Sequence, residues 1–173
     1  MKNIILSAVL AASLLTLSGC GSTTKDIKVA SKTSSKVNLE GYKTYAWLPI
    51  ANVLIDEKAE FKGRGYSVND YIESQINKSL LNSERTLDKE NPDFVVSYIL
   101  GVDMDAMKEK LDEEGKKYLE NVSEAAIVIV LMDTQTQKVI WAGSAETNLH
   151  QEVSDEESKK RIKYAIEKMF SDF

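Results

Sequence analysis

The sequence predicts an α+β domain: a mainly antiparallel sheet of four or five strands, two helices packed on one face, and a charged, helical insertion. Two runs, residues 94–100 and 126–132, are apolar at nearly every position, which is typical of strands buried on both faces. Two other segments, near 68–83 and 155–172, repeat apolar residues at helical spacing. These four segments indicate the sheet and the two helices that pack on it.

The first 19 residues have the three parts of a secretory signal. Lys2 supplies a positive charge, residues 4–17 are apolar or small, and Ser18 and Gly19 precede Cys20. The apolar run is several residues shorter than the roughly 20 that a membrane-spanning helix needs. One interpretation is a signal peptide that happens to end before a cysteine, and the other gives Cys20 a role of its own.

The stretch Leu17-Ser18-Gly19-Cys20 resembles the lipobox of bacterial lipoproteins. The resemblance implies that the Cys20 thiol takes a diacylglyceryl group, that the chain is cut before Cys20, and that the new amine takes a further acyl chain such as palmitate. Cys20 is the only cysteine, so no other side chain can form this thioether. Two or three acyl chains anchor a protein stably. Gly21 and Ser22, with no Asp beside the cysteine, resemble the pattern sent to the outer membrane, facing the periplasm.

Cleavage before Cys20 leaves residues 20–173, enough for one domain that needs no disulfide. Residues 20–36 are rich in Ser, Thr and Lys, which predicts a flexible tether after the lipidated cysteine. A short edge strand near residues 27–30 is the alternative within this tether. Residues 37–173 are then expected to form a single α+β domain.

The chain is acidic, with a formal charge of −5 that becomes −6 when Lys2 is lost with the signal. Binding to nucleic acid depends on neutralising phosphates, so we expect no nucleic-acid partner. The same charge disfavours peripheral binding to anionic lipid surfaces. Membrane contact is therefore expected to come from the lipid anchor.

The sequence of the first half of the domain predicts a strand and a helix. Residues 42–48 are rich in aromatic and β-favouring side chains and end at Pro49, which indicates a strand. Ser67 with Asp70 resembles a helix start, and a helix over 68–83 follows it. The apolar positions of this helix are Val68, Tyr71, Ile72, Ile76, Leu80 and Leu81.

The sequence of the second half of the domain predicts a hairpin and a C-terminal helix. The strands 94–100 and 126–132 flank the charged segment 103–124, for which we expect an amphipathic helix or a mobile insertion. Ser154 and Glu157 form a capping box before the C-terminal helix. A tight connection at 133–137 joins 126–132 to the alternating run 138–149, whose one side holds Val139, Trp141, Gly143, Ala145, Thr147 and Leu149.

Three stretches are similar to bacterial lipoproteins of the family named domain of unknown function 4136. They are Tyr42–Trp47 after a lipobox, Pro92–Tyr98, and Asp133–Gly143 with a terminal helix behind it. The resemblance spans about residues 27–173 and implies an α+β envelope domain without an assigned activity. The chain departs from the family at Gln137, where glycine is frequent in the turn, and segment 103–124 lies outside the family pattern.

The sequence gives no motif for a catalytic, cofactor-binding or metal site. His150 is the only histidine, and a zinc site needs several nitrogen or sulfur ligands. Asp103-Met104-Asp105 lacks the ligand offsets and the glycine turn of a calcium loop. Neither a nucleophile elbow nor a phosphate-binding loop is present. A hydrolase that uses a pair of carboxylates stays open, because the pairing of acids depends on the fold.

Three functional hypotheses follow. The first is a non-enzymatic structural or interaction lipoprotein that docks on an envelope partner. The second is a periplasmic binding module for a lipid or another small apolar ligand, and the third, less favoured, is a hydrolase. Two helices cover only one face of strands that are apolar on both faces. The second face could be covered by segment 103–124, by residues 50–66, by an apolar ligand or by another protein.

Overall fold

The computed structural model describes residues 24–48, 53–54, 64–103, 124–146 and 153–173. These residues form two α-helices, α1 (Val68–Asn82) and α2 (Asp155–Met169), and two single 3₁₀ turns, Leu39–Gly41 and Phe170–Asp172. They also form seven strands: β1 (Lys28–Thr33), β2 (Thr44–Trp47), β3 (Val53–Leu54), β4 (Thr86–Leu87), β5 (Phe94–Asp103), β6 (Glu124–Asp133) and β7 (Val139–Glu146).

The α+β class is confirmed, but the sheet is larger and more mixed than predicted. Its described strands lie in the order β1-β7-β6-β5-β2-β4, and β3 pairs with β5 beside this path. The β1–β7, β7–β6 and β6–β5 pairs are antiparallel, whereas β2–β5, β2–β4 and β3–β5 are parallel. The expectation of four or five mainly antiparallel strands is therefore met only in part: the long pairs are antiparallel as expected, but the described sheet has more strands and includes three short parallel pairs.

The parallel pairs follow from the place of α1 in the chain. Parallel neighbours need a crossover of a dozen residues or more, usually a helix, and α1 lies between β2 and both β4 and β5. β2 pairs Tyr45 with Phe94, and β3 pairs Val53 with Ile99 farther along the same edge of β5. β2 and β3 are therefore both parallel neighbours of β5 along one of its edges.

Both helices pack on one side of the sheet, which we call the first face. Alternate residues of β5, from Phe94 to Leu100, point into this core, as do Ile127, Ile129 and Leu131 of β6. The helices contribute Val68, Ile72, Ile76 and Leu80 from α1 and Ala165, Ile166 and Met169 from α2. The two predicted amphipathic faces are thus the faces that meet the sheet.

The opposite side, the second face, is also apolar along its central strands. Val128 and Val130 of β6 are 0% and 6% exposed although they lie outside the first-face core. Val130 pairs with Ala142 of β7 and with Ser97 of β5. The prediction that β5 and β6 have two apolar faces is supported by this pattern.

Val139 was expected on the same face as Trp141, Gly143 and Ala145, but it lies on the opposite face of the sheet. Leu131 pairs with Trp141, whereas the next residue, Met132, pairs with Val139, so Ile140 is an extra residue in β7. Such a bulge interrupts the two-residue alternation of a strand. Val139 therefore shares a face with Met132, while Trp141, Gly143 and Ala145 lie on the first face.

The predicted tether contains a strand of the sheet. Residues 28–33 form β1, which pairs along its length with β7 from Lys28–Glu146 to Thr33–Trp141. Ile27 belongs to the buried core, and the Ser34 backbone N–H donates to the carbonyl of Ile140 at 2.9 Å. For the described part of 20–36, the alternative of a short edge strand near residues 27–30 agrees with the structure, in which β1 covers Lys28–Thr33 and belongs to the folded domain.

Other boundaries differ from the predictions by a few residues. α1 ends at Asn82, and the terminal helix becomes a 3₁₀ turn after Met169. β5 and β6 extend to Asp103 and from Glu124, so both ends of the predicted insertion 103–124 belong to strands. The rest of that insertion lies outside the described residues.

Candidate functional site

The residues singled out from the sequence lie mostly outside the described part of the chain. Cys20 and His150 are both outside it, and of the acids at 103–105 only the backbone of Asp103, the last residue of β5, is described. Thr24, four residues after Cys20, is the first described residue. A chain that carries a lipid on Cys20 would therefore enter the described domain at Thr24.

The chain enters the sheet through a short, well-held segment. The Ile27 side chain is 8% exposed, and its backbone N–H donates to the carbonyl of Thr24 at 3.2 Å. Arg161 of α2 donates from both terminal nitrogens to the two carboxylate oxygens of Asp26, at 2.9 and 2.5 Å. This bidentate contact raises the pKa of Arg161. We call residues 24–28, together with Glu146 opposite Lys28, the entry end of the domain.

The starts of the two helices are joined to each other. The Gly65 backbone N–H donates to Asp155 Oδ2 at 2.9 Å, and the hydroxyls of Tyr66 and Ser158 lie 2.8 Å apart. Arg64 donates to the carbonyl of Val153 at 3.1 Å. The residues just before α1 are therefore held against the first turn of α2.

The hydrogen bonds of α1 give its direction relative to the sheet. The Tyr98 hydroxyl donates to Asn69 Oδ1 at 3.0 Å, whereas the Tyr45 hydroxyl donates to Asn77 Oδ1 at 2.8 Å. Tyr45 pairs with Phe94 at the start of β5, and Tyr98 lies four residues farther along that strand. α1 therefore begins nearer the end of β5, which is the side of the sheet where β1 starts.

Asp93 is the centre of a polar cluster at the other end of the sheet, which we call the hairpin end because the 133–138 turn lies there. One oxygen of Asp93 accepts from the backbone N–H groups of Lys43 and Thr44, both at 2.8 Å, and from the Thr44 hydroxyl at 3.0 Å. The backbone donors lower the pKa of Asp93. The carboxylate thus fixes the start of β2 beside the start of β5.

Asp133 has a similar role in the β6–β7 turn. Its Oδ1 accepts from the backbone N–H of Gln135 at 3.0 Å and from Thr136, while its Oδ2 accepts from the Tyr42 hydroxyl at 2.6 Å. Burial opposes ionisation of Asp133, but these donors outweigh it and lower its pKa. Burial and the contact with Asp133 raise the pKa of Tyr42 to about 12.

The chemistry of this cluster is structural. Asp93 and Asp133 are both stabilised as carboxylates by hydrogen-bond donors of neighbouring loops. Tyr42 stays protonated and donates its proton into a hydrogen bond. The cluster joins three loops at the hairpin end and does not favour the hydrolase hypothesis.

Arg85 is a buried cation that the sequence did not indicate. It is 9% exposed, donates to the backbone carbonyls of Ser83 and, at 3.0 Å, Leu39, and lies 4.7 Å from the centroid of the Phe173 ring. Its Nε has no hydrogen-bond partner, and burial lowers its pKa. The side chain connects the end of α1 to the 39–41 turn and to the terminal aromatic residues.

Two searches of the described residues gave negative results. No three His, Cys, Asp or Glu side chains in that part of the chain are grouped so that they could hold a metal ion. Likewise, none of the helices described there is long and apolar enough to cross a membrane.

Residues 29–173 match the family model described as a domain of unknown function, DUF4136, and the chain therefore belongs to that family. A DUF4136 family protein from Bacteroides thetaiotaomicron shares the fold, with a TM-score of 0.56 at 11% identity. That match covers 84% of this chain and 95% of the other. A comparison with curated proteins found no match.

Two other solved structures are similar at lower TM-scores. PelC from Paraburkholderia phytofirmans, solved as a dodecamer, has a TM-score of 0.46 at 12% identity, covering 84% of this chain and 95% of that one. A PDZ domain protein from Parabacteroides distasonis has a TM-score of 0.45 at 15% identity, and the match covers 98% of this chain but 40% of that protein.

Proposed function

We propose that this protein is a lipid-anchored bacterial envelope protein with a non-enzymatic structural or interaction role. The observation that supports it is the sequence Leu17-Ser18-Gly19-Cys20 placed four residues before the described domain begins. Acyl chains on Cys20 would hold the domain at a membrane, with the outer membrane as the expected site. The α+β domain would then present its surface to the periplasm.

The polar clusters of the domain support a role without catalysis. Asp93 and Asp133 direct their oxygens to backbone donors of adjacent loops, and Asp26 binds Arg161. Groups used in this way keep elements in place and are not available to a substrate. The role then depends on where the domain is held and on what its surface contacts.

The lipid anchor is tested by replacing its single attachment residue. Cys20→Ala removes the thiol that would carry the lipid, so we expect the protein to leave the membrane fraction. Thr23→Ala, which keeps the cysteine, is the matched control and should stay with the membranes. The measurement is sedimentation of cell membranes in high salt, followed by separation of inner and outer membranes. A Cys20→Ala protein that still sediments in high salt would contradict the anchor.

The interaction role is tested by crosslinking in intact cells. A lipid-anchored domain that docks on an envelope protein should give a discrete crosslinked species that disappears when Cys20→Ala removes it from the membrane. Recovery of the monomer alone, from cells in which the wild-type protein is membrane-bound, would oppose the interaction role while leaving the anchor intact.

A binding module for a small apolar ligand is the second candidate, and the apolar second face favours it. Val95 and Met132 pair with each other on that face and are both half-buried. Native mass spectrometry of residues 21–173, produced without the lipid, should show a reproducible added mass of a few hundred daltons if this candidate is right. A bare monomer would remove it.

A further inference from the structure

We infer that the entry end of the domain faces the bilayer and that the hairpin end points away from it. The inference rests on the proposed lipid anchor and adds an orientation to it. It concerns a membrane-facing surface made by the residues around Asp26 and Lys28, with the polar headgroup region of a lipid bilayer as its partner.

The first argument is the length of chain available between lipid and domain. Four residue steps separate Cys20 from Thr24, and a fully extended chain spans at most about 14 Å over that length. Thr24 is itself tied to Ile27, whose side chain is buried in the core. Thr24, where the entry end begins, therefore stays within about 14 Å of a lipidated Cys20.

The second argument is that Asp26 and Ile27 give the chain little freedom to lengthen this connection. The two hydrogen bonds from Arg161 fix Asp26 to α2, and β1 begins two residues later with the Lys28–Glu146 pair. The predicted tether of 20–36 would have allowed the domain to move tens of ångströms from the bilayer. The fold leaves residues 21–23 as the part of that tether lying before the described domain.

The third argument is the direction of the strands. β1 runs away from the entry end, and its neighbour β7 runs back toward it from the hairpin. Val139 and Glu146 lie at opposite ends of β7, about 23 Å apart at the usual rise of a strand. The short connection from Cys20 to Thr24 does not limit the distance between the hairpin end and the bilayer. Because the folded domain cannot enter the bilayer, the hairpin end lies farther from it on average.

Charge does not compete with this orientation. Two arginines near the entry end are paired with acids: Arg161 with Asp26, and Arg64 with Asp155 at 3.6 Å. Lys28 is opposite Glu146 in the sheet. The described charges supply no strong force against this orientation, so the short connection decides it.

The test measures the distance of each end from the membrane in the lipidated protein. Lipidation consumes the only thiol, so Lys28→Cys or Gln135→Cys supplies one unique site for a fluorescent donor. Both positions are exposed. With an acceptor lipid in liposomes, the label at position 135 should lie farther from the bilayer than the label at 28, by on the order of 10–20 Å.

A longer connection provides the matched control. A Gly/Ser segment of about 20 residues inserted between residues 23 and 24 adds a root-mean-square reach of about 25 Å. It should lower energy transfer from both positions and shrink the difference between them. Equal transfer from 28 and 135 in the wild-type connection would overturn the inference although the anchor holds. Failure of the protein to stay on liposomes would overturn the anchor instead.

Discussion

Gln137 adopts a backbone conformation that side chains other than glycine rarely take. Its φ is 57°, and its N–H donates to the carbonyl of Asp133 at 2.9 Å to close the turn. A residue with a Cβ in the left-handed conformation carries about 1–2 kcal/mol of strain. Glycine removes this strain, but it loses more conformational entropy on folding, which offsets part of the stabilisation. We expect Gln137→Gly to raise the free energy of unfolding by about 0.5–1 kcal/mol, measured by urea denaturation.

Gln135 offers a control for this prediction in the same turn. It is exposed and is not among the described residues with a positive φ, which are Glu84 and Gln137. Gln135→Gly adds flexibility without relieving strain, so it should leave the stability unchanged or lower it. If both substitutions stabilise equally, the left-handed conformation of Gln137 is not the cause.

The hydrogen-bonded carboxylate of Asp93 should contribute to the free energy of unfolding in a way that acid removes. Its folded-state pKa lies below its usual value near 3.9, so the stabilisation is present above that pH and is lost as the pH falls through the folded-state value. Asp93→Asn keeps one acceptor oxygen but removes the charge. It should cost about 1 kcal/mol at pH 7 and reduce the loss of stability between pH 4 and more acidic conditions.

The measurement for Asp93 is thermal unfolding followed at a series of pH values. Glu90→Gln, at an exposed position in the loop before Asp93, removes a carboxylate without removing these hydrogen bonds and is the control. An Asp93→Asn protein whose stability falls with acid as steeply as that of the wild type would show that the charge of Asp93 contributes nothing.

Single residues also show where sequence reasoning stops. Ser67 and Ser154 could be identified as caps because their partners lie three residues away, and both side chains accept from the expected N–H groups. Asp26 and Arg161 are 135 residues apart, and nothing local to either marks the contact. Arg85 looks like an ordinary surface cation until the folded chain places Leu39 and Phe173 around it.

At the scale of elements, hydrophobic periodicity predicted α1 and α2 closely because both helices are amphipathic. The antiparallel hairpin of β6 and β7 was predicted, but the parallel direction of the strand at 42–48 was missed, although a signal was present. A helix between the strands at 42–48 and 94–100 is the usual connection of a parallel pair. The extra residue Ile140 is different, since a bulge changes the facing of Val139 without leaving a mark in the alternation of a wholly apolar run.

Gly143 has no Cβ, and this leaves space for the indole of Trp141, two residues earlier in β7. A Cβ on Gly143 would lie 2.5 Å from Cη2 of Trp141 and 3.1 Å from Sδ of Met169. Trp141 is 1% exposed and stacks on Phe170, so the indole has little room to move. We expect Gly143→Ala to lower the free energy of unfolding by about 1–3 kcal/mol, measured in urea.

Gly41 is the matched control for this substitution. A Cβ there meets nothing within 4 Å, so Gly41→Ala should change the stability by no more than about 0.5 kcal/mol. A Gly143→Ala protein as stable as Gly41→Ala would mean that the indole has another position, contrary to the packing described.

At the scale of the whole molecule, the predicted start of the domain at residue 37 is too late, whereas the edge strand offered as the alternative near residues 27–30 agrees with β1. β1 is an edge strand with exposed Lys28 and Lys32, and Val29 is the residue that packs against the core. Charged, small residues on an edge strand limit pairing with other chains, and the same residues are typical of linkers. Composition cannot separate the two cases, because the difference lies in the pairing with β7.

This boundary gives a prediction for truncated chains. Residues 24–173 contain β1 and Ile27, whereas residues 37–173 lose both and leave one edge of β7 unpaired. Loss of the buried Ile27 side chain alone should cost about 1.5–3 kcal/mol. We expect the 37–173 chain to unfold at a lower urea concentration, with a free energy of unfolding reduced by at least about 2 kcal/mol, and with a smaller m value.

The 24–173 chain with Ile27→Ser separates the two contributions. It keeps the β1–β7 pairing and removes the buried side chain, so its stability should lie between those of the other two chains. Matching urea midpoints and m values for 24–173 and 37–173 would place β1 outside the cooperative unit. In that case the short connection to Cys20 would lengthen again, and the membrane-facing orientation would lose its main argument.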